Sequence, residues 1–461
     1  MDKINDLKMP DAVGKIMNAL EESGHEAFIV GGCVRDALRG AEPADWDMCT
    51  DATPWEMFDI FGKPEKTGGK NGEYYSGWRI FDTGAKHGTV SILINDKLFE
   101  VTTYRIDGKY ADNRHPDSVR FSRSIEDDLA RRDFTVNAMA YNEKRGLIDI
   151  FGGREDLRAG IIRCVGNPAE RYLEDALRIM RAMRFSAQLS FTIEKNTYDA
   201  MNKYAYLLHN ISEERIREEF VKTLTGIGSL QSLDRCRKVV GEIIPEAVLM
   251  FGLDQKNDYH CYDVWQHTLH VVHYVMNTAP LKLAAFFHDI GKPPCMTLTE
   301  DGWGHFYGHE HMSAEMAESV MKRLKFDNKT TALVKELIWN HGIVFQQTAK
   351  HARHMLAKFG EEKLNMLIEL ELADVSSQAP SCAEERVANI EKFRGIVSDI
   401  LEQQKCFSMR DMAIDGIDIM ELGVPQGPEI GRILKALFAR VMDEEIPNEK
   451  DILRREAEKM L

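Results

Sequence analysis

Between residues 27 and 150 short apolar runs alternate with polar stretches. Phe28–Val30, Thr89–Ile94, Phe99–Thr103 and Leu147–Ile150 read as strands. Pro54–Ile60 reads as a helix with proline in its first turn. The run from Phe99 to Arg105 alternates, which puts Glu100 and Thr102 on one face. Residues 62–77, containing GGKNGEYYSG, are glycine-rich and polar and read as a surface loop. From Arg171 to Phe185 there is neither glycine nor proline, and the spacing predicts one continuous helix. From about residue 250 the pattern is helical throughout. Residues 385–461 read as amphipathic helices broken by Gly423-Val424-Pro425-Gln426-Gly427-Pro428. The expectation is an α+β chain, with a mixed sheet in the first third and helices after it.

Composition narrows the class. The 461 residues suffice for about three domains, and 44% hydrophobic with 29% charged residues describes a globular protein with a real core. The net charge of −15 does not advertise nucleic-acid binding, so an RNA partner would have to be held by local basic patches. Cysteines 33, 49, 164, 236, 261, 295, 382 and 406 form no Cys-x-x-Cys pair, which excludes a zinc ribbon and argues against a disulfide framework. The first twenty residues read as a charged amphipathic helix without the apolar centre of a signal peptide, and no apolar run approaches membrane-spanning length. A cytoplasmic location is expected.

Candidate chemistry begins at Gly31–Thr53, GGCVRDALRGAEPADWDMCTDAT. A glycine pair after a strand leaves backbone N–H groups open to close approach, and Arg35 lies one turn further on, so the segment can cradle phosphates. Asp45 and Asp47 flank Trp46; in an extended tripeptide both carboxylates share a face and suit Mg²⁺. Glu100 becomes a third carboxylate of the site if its strand neighbours theirs. Arg131-Arg132-Asp133-Phe134-Thr135-Val136-Asn137 offers two guanidiniums for phosphate or ribose, and places Asp133 and Asn137 on one helix face. Asp175, Arg178, Arg181 and Arg184 recur every third residue.

In order, these motifs resemble the signature of the class II nucleotidyltransferases that act on RNA 3′ ends, the tRNA CCA-adding enzymes and bacterial poly(A) polymerases. The resemblance covers nearly the whole chain. It implies a nucleotidyltransferase head at 1–155, a helical neck at 156–240, an HD domain at 245–380 and a helical tRNA-binding tail at 385–461. Asp45, Asp47 and Glu100 are then the catalytic carboxylates, and Gly32, Arg35, Arg132, Asp175, Arg178, Arg181 and Arg184 bind the nucleotide. Residues 107–121, DGKYADNRHPDSVRF, resemble the flexible loop that switches such pockets towards ATP. Glu174-Asp175-Ala176-Leu177-Arg178 resembles the nucleotide-selecting motif. Asp175 would accept the amino proton of C or A while Arg178 donates to the ring nitrogen, a pattern that U and G reverse.

His267, His288, Asp289, His309, His341 and Asp374 occur in an order that resembles the HD phosphohydrolases, whose ligand set suits Mn, Ni, Fe or Zn. His270, His273, His305, His311, His351 and His354 fit no such position and read as surface or cation-satisfying residues. Gly427–Leu434 resembles the tail segment that contacts tRNA. The implied activity is addition of C, C and A to tRNA from CTP and ATP, with hydrolysis of 2′,3′-cyclic phosphates or phosphate monoesters at damaged RNA ends in the HD domain. An A-adding enzyme, a poly(A) polymerase, or an HD phosphohydrolase with an RNA-binding head are the alternatives.

Overall fold

The computed structural model describes residues 9–62, 78–108, 119–402, 408–443 and 445–461. Most of the predicted surface loop at 62–77 and of the flexible loop at 107–121 lies outside the described residues. The chain divides into two compact units, Met1–Pro245 and Glu246–Leu461. Among the described residues no helix is long and apolar enough to cross a membrane.

The first unit opens with α1 (Asp11–Glu22), β1 (Ala27–Val30), α2 (Gly32–Leu38), β2 (Asp47–Thr50) and α3 (Pro54–Phe61). Thr53 caps α3 reciprocally: its hydroxyl accepts from the Glu56 N–H, and Glu56 accepts from the Thr53 N–H at 2.7 Å. Then come β3 (Arg79–Phe81), β4 (Thr89–Ile94), β5 (Lys97–Thr103), the ribbon of β6 (Arg105–Asp107) and β7 (Val119–Phe121), α4 (Ile125–Ala130), β8 (Ala140–Asn142) and β9 (Gly146–Ile148). The main sheet runs β3-β4-β5-β2-β1-β8-β9, with β2 parallel to β5 and the other pairs antiparallel. Its core includes Ile29, Met48, Phe61, Val90, Ile92 and Val101, all buried. Strand β2 starts at Asp47, so Asp45 precedes the strand, and β9 ends at Ile148, short of the predicted Ile150.

Helices follow: α5 (Gly153–Ala159), α6 (Pro168–Glu174), α7 (Leu177–Leu189), α8 (Lys195–Tyr204), α9 (Glu213–Leu224), α10 (Ser229–Arg235) and α11 (Arg237–Ile243). The single helix expected over 171–185 is in fact two. Asp175 is extended (φ −134, ψ 104), and its carboxylate accepts from the Leu177 N–H at 3.0 Å. An aspartate that bonds the backbone two residues on competes with helix propagation, and here it starts a new helix instead. Asp133 and Asn137 likewise share no α-helix, since Thr135–Asn137 is one 3₁₀ turn.

The second unit is helical as expected. It comprises α12 (Val264–Tyr274), α13 (Ala279–Phe287), α14 (Lys292–Cys295), α15 (His309–Arg323), α16 (Asn328–Trp339), α17 (Ala349–Ser376), α18 (Pro380–Glu402), α19 (Gly416–Glu421), α20 (Pro428–Met442) and α21 (Lys450–Glu458). Helix α17 is interrupted at Gly360, where φ is +74. A short antiparallel hairpin, Thr297–Leu298 with Gly304–His305, precedes α15. The last helices close over their own core of Ile419, Ile433, Leu437 and Leu453.

Candidate active sites

The first site is built where β1 hands over to α2. Gly31 has φ +82, a conformation that favours glycine, and a Cβ there would crowd Arg132 Nη1 at 3.0 Å. Arg132 donates through Nη2 to Asp128 at 3.1 Å, while its buried Nε has no partner. Burial alone would raise the Asp128 carboxyl, but Arg132 and Arg131 outweigh it and hold the group below its usual range. A guanidinium with an unspent donor beside a glycine turn fits a phosphate oxygen.

Asp47 pairs with Glu100 in the parallel β2–β5 ladder, the neighbouring relation on which a role for Glu100 depended. Trp46 packs against the sheet core, so Asp45 and Asp47 on either side of it stay exposed. Loss of hydration raises the Asp47 carboxyl although solvent still reaches it; Arg132 opposes the shift and Asp45 adds to it. Glu100 is raised by the same desolvation and then by Asp47 and Asp45. Asp47 and Glu100, side by side on inner strands of the sheet and raised by burial and by neighbouring carboxylates, make with Asp45 an oxygen donor set that a divalent cation would relieve.

Arg35 and the neck arginines form a chain of contacts. The Arg35 guanidinium donates to Asp36 at 2.9 Å and to Asn137 Oδ1 at 2.6 Å, and the Asn137 amide donates to Asp133 at 3.2 Å. Arg181 Nε donates to the other Asp133 oxygen at 2.7 Å. Burial would raise Asp133, yet Arg181, with Arg178 and Asn137, brings it down to about 2. Arg184 faces Glu219 at 3.1 Å. Arg35, Arg181 and Arg184 all lie over the Phe185 ring, at 5.3, 5.3 and 4.2 Å from its centroid.

The helix break separates Asp175 from Arg178. Asp175 meets Arg215 at 3.3 Å, whereas Arg178 is buried and donates to Glu174 at 2.7 Å and to the Arg131 carbonyl at 2.9 Å. The two therefore do not share one helix face: the Arg178 N–H donates to the Asp175 carbonyl at 3.0 Å, but their side chains turn to different partners. Gly32 opens α2, and a Cβ there would lie 3.7 Å from Arg35 Nη2.

The second site lies in the second unit and gathers all six predicted ligands. His267 Nε2 is 2.8 Å from Asp374 and 3.5 Å from Asp289; His288 Nε2 is 3.2 Å from Asp289 and 3.9 Å from Asp374. His309 Nε2 is 3.4 Å from the other Asp289 oxygen and 3.2 Å from His341 Nε2. Two sets, His267-His288-Asp289 and Asp289-His309-His341, each bring their ligand atoms within 4.8 Å, and Asp289 belongs to both. Each imidazole turns its Nδ1 to a backbone carbonyl: Ser377 for His267, Ala285 for His288, Phe306 for His309 and Ile338 for His341. That fixes the tautomer and aims four Nε2 lone pairs inward. His267 Nε2, His288 Nε2 and Asp289 Oδ2 are buried and meet one another, Asp374 and Lys292 at ion-pair distance without a well-directed hydrogen bond, which fits metal ligation.

Sequence reasoning missed several neighbours here. Lys292 Nζ lies 2.7 Å from Asp289 and donates to Gln255 at 2.8 Å. Burial, Lys292 and His267 push His260 down to about 3, and it stands edge-on to His267. Burial and Asp374 raise Glu371 to about 7, and it accepts the Gly342 N–H at 2.8 Å. The i, i+3 spacing of Asp289 and Lys292 was the available signal for the lysine. His305, read as a surface residue, lines the same cavity as Asp289 and His309.

Residues 27–163 match the poly(A) polymerase head domain, 190–238 an RNA- and SrmB-binding site of polymerase A, and 296–457 the tRNA nucleotidyltransferase domain 2. The CCA-adding enzyme of Levilactobacillus brevis is 34% identical over 95% of this chain and 95% of its own length. That of Bacillus velezensis is 31% identical over 94% of each. The crystal structure of the Bacillus stearothermophilus CCA-adding enzyme in complex with CTP superposes with a TM-score of 0.68 and 28% identity, over 97% of this chain and 96% of that one. Sequence relation along almost the full length joins a shared fold and a pair of carboxylate-bearing inner strands beside a glycine turn: the chain belongs to the CCA-adding enzymes.

Proposed function

We propose that the first unit adds C, C and A to the 3′ end of tRNA, taking CTP and ATP and releasing pyrophosphate. The observation that carries this reading is the register of Asp47 against Glu100 beside the Gly31–Arg132 turn. Asp45 and Asp47, with Glu100 next to them, are the proposed holders of Mg²⁺. When bound, the ions supply a lowered pKa at the terminal RNA hydroxyl and neutralise the leaving pyrophosphate. The 3′ oxygen forms a bond to the α-phosphorus as the bond to the bridging oxygen breaks. Gly31, Gly32 and Arg132 receive the triphosphate, and Arg35, held in place by Asp36 and Asn137, orients it.

Asp175 and Arg178 are the proposed readers of the base edge. Arg178 holds Glu174 and the Arg171 and Arg131 carbonyls through three of its five N–H donors, so donors remain for a ring nitrogen. Incubation of the protein with tRNA lacking its 3′ end, and with CTP and ATP separately and together, tests the proposal. Addition of A alone, or of a long A tract, would replace it with an A-adding enzyme or a poly(A) polymerase.

For the second site we propose metal-dependent hydrolysis of phosphoesters, on the observation that four inward Nε2 atoms surround the shared carboxylate of Asp289. The ligand set suits Mn, Ni, Fe or Zn better than Ca. Lys292 supplies a cation for a phosphate oxygen. Water adds across one P–O ester bond, leaving a phosphate with one ester fewer and a free hydroxyl. Phosphate release from cyclic or terminal phosphates, assayed with each metal, tests this.

A further inference from the structure

The metal ligands of the second unit open onto a cavity of about 360 Å³ whose rim is aromatic. Trp303, His305 and Tyr307 alternate along the outgoing strand of the hairpin and its continuation. Tyr307 stacks on His305 with centroids 5.1 Å apart and ring planes 12° apart, and it is 78% exposed. Across the rim Tyr259, 51% exposed, stands edge-on to Trp303 at 6.4 Å. All four line the cavity with Asp289 and Lys292.

The rim is held rigidly. Gly304 donates to the Lys256 carbonyl at 2.8 Å, and a Cβ on Gly304 would meet the Gln255 carbonyl at 2.2 Å. The hairpin is thus pressed flat against the Gln255–Lys256 backbone, next to the loop that carries Tyr259. One residue separates Tyr307 from His309, and Gly308 makes that turn at φ +75. At 78% exposure Tyr307 leaves one ring face open, a platform on which a planar group can stack. A planar group stacked on the free face of Tyr307 would continue the His305–Tyr307 pile.

We propose that this rim binds the base of a nucleotide whose phosphoester lies at Lys292 and the Asp289 cluster, so that the second site selects against base-free phosphoesters. The proposal rests on the hydrolytic reading of that site. The ester step is hydrolysis: water adds to phosphorus, one ribose oxygen leaves as a hydroxyl, and nothing is oxidised or reduced. Tyr307 touches the base and none of the reacting atoms, so it determines specificity through KM.

The test compares adenosine 2′,3′-cyclic phosphate with glycerol 1,2-cyclic phosphate, which has the same ring ester and no base, using the full chain with Mn²⁺ or Ni²⁺. The wild type is expected to prefer the adenosine compound. Tyr307→Ala should raise its KM about tenfold and leave the glycerol compound unaffected, while Tyr307→Phe retains the preference. Trp303→Ala should act in the same direction. Equal use of the two compounds by the wild type, or an unchanged preference in both alanine variants, overturns the proposal. If neither compound is hydrolysed with any divalent metal, the hydrolytic reading fails, and binding of adenosine 3′-monophosphate then decides on the rim. Weaker binding by Tyr307→Ala supports it, and equal binding refutes it.

Discussion

Two ion pairs one turn apart on α7 should respond to mutation in opposite ways. Asp133, fully enclosed by protein, is brought down to about 2 against an ordinary 3.8, because Arg181 and its neighbours outweigh burial. A group depressed on folding contributes stability that is present above pH 4 and lost as pH falls towards 2; nearly two units correspond to about 2 kcal/mol at neutral pH. Asp133→Asn should cost that much. Glu219 is displaced the other way: burial raises it, and Arg184 and Arg181 do not compensate. Burial also lowers Arg184, with Glu219 only partly offsetting it. An acid raised on folding loses stability as pH rises through the carboxylate range, so Glu219→Gln should stay within about 1 kcal/mol of the wild type at pH 7. Glu219→Gln with Arg184→Met should equal or exceed it. Native-state hydrogen exchange of α7 and α9 amides reads these local free energies without requiring both units to unfold together. If Glu219→Gln loses as much as Asp133→Asn, the reasoning from desolvation is wrong.

Asp45→Asn with Asp47→Asn should reduce nucleotide addition by about 10³-fold or more while sparing phosphoester hydrolysis, and His288→Ala with Asp289→Ala should do the reverse; loss of addition in the folded second variant would refute two separate centres. Arg178→Ala should relax base choice by about 1–3 kcal/mol per lost contact, with UTP or GTP incorporated measurably and CTP and ATP used more slowly, and Asp175→Ala should act similarly. Unchanged selectivity in both, measured with all four NTPs, would reduce the two residues to helix-terminal braces. Affinity for tRNA should fall steeply from low to physiological salt, since a chain of net charge −15 must hold phosphates through few basic residues; a salt-insensitive Kd would contradict this.

Much of this was legible because its signals are local or periodic. The alternation around Phe99–Arg105 set Glu100 apart from its apolar neighbours, and the ladder stands it opposite Asp47; the ordered histidines and aspartates gave a set of residues that the fold brings together. What stayed hidden depends on competition or on distance. Nothing in residues 171–185 breaks a helix by propensity; Asp175 does so by bonding forward to Leu177. The evenly spaced arginines looked like one stripe, yet only Arg178 keeps an i, i+4 partner, Glu174; Arg181 and Arg184 answer to Asp133 and Glu219, partners that no spacing rule names. His305 carried no positional signal, because only the hairpin turns it towards the cavity.

The parallel ladder between β2 and β5 has a bearing on how this family can diverge. Its carboxylates are addressed by backbone hydrogen bonds, Asp47 opposite Glu100 and Cys49 opposite Thr102, and not by the length of chain that joins them. The connection from Thr50 to Lys97 can lengthen or shorten between α3 and β3 without moving either oxygen, since loop closure grows dearer only with the logarithm of length. A slip of one residue by either strand would turn its carboxylate to the opposite face and part the pair. Insertions and deletions should therefore be tolerated in that crossover and forbidden within the eight paired positions.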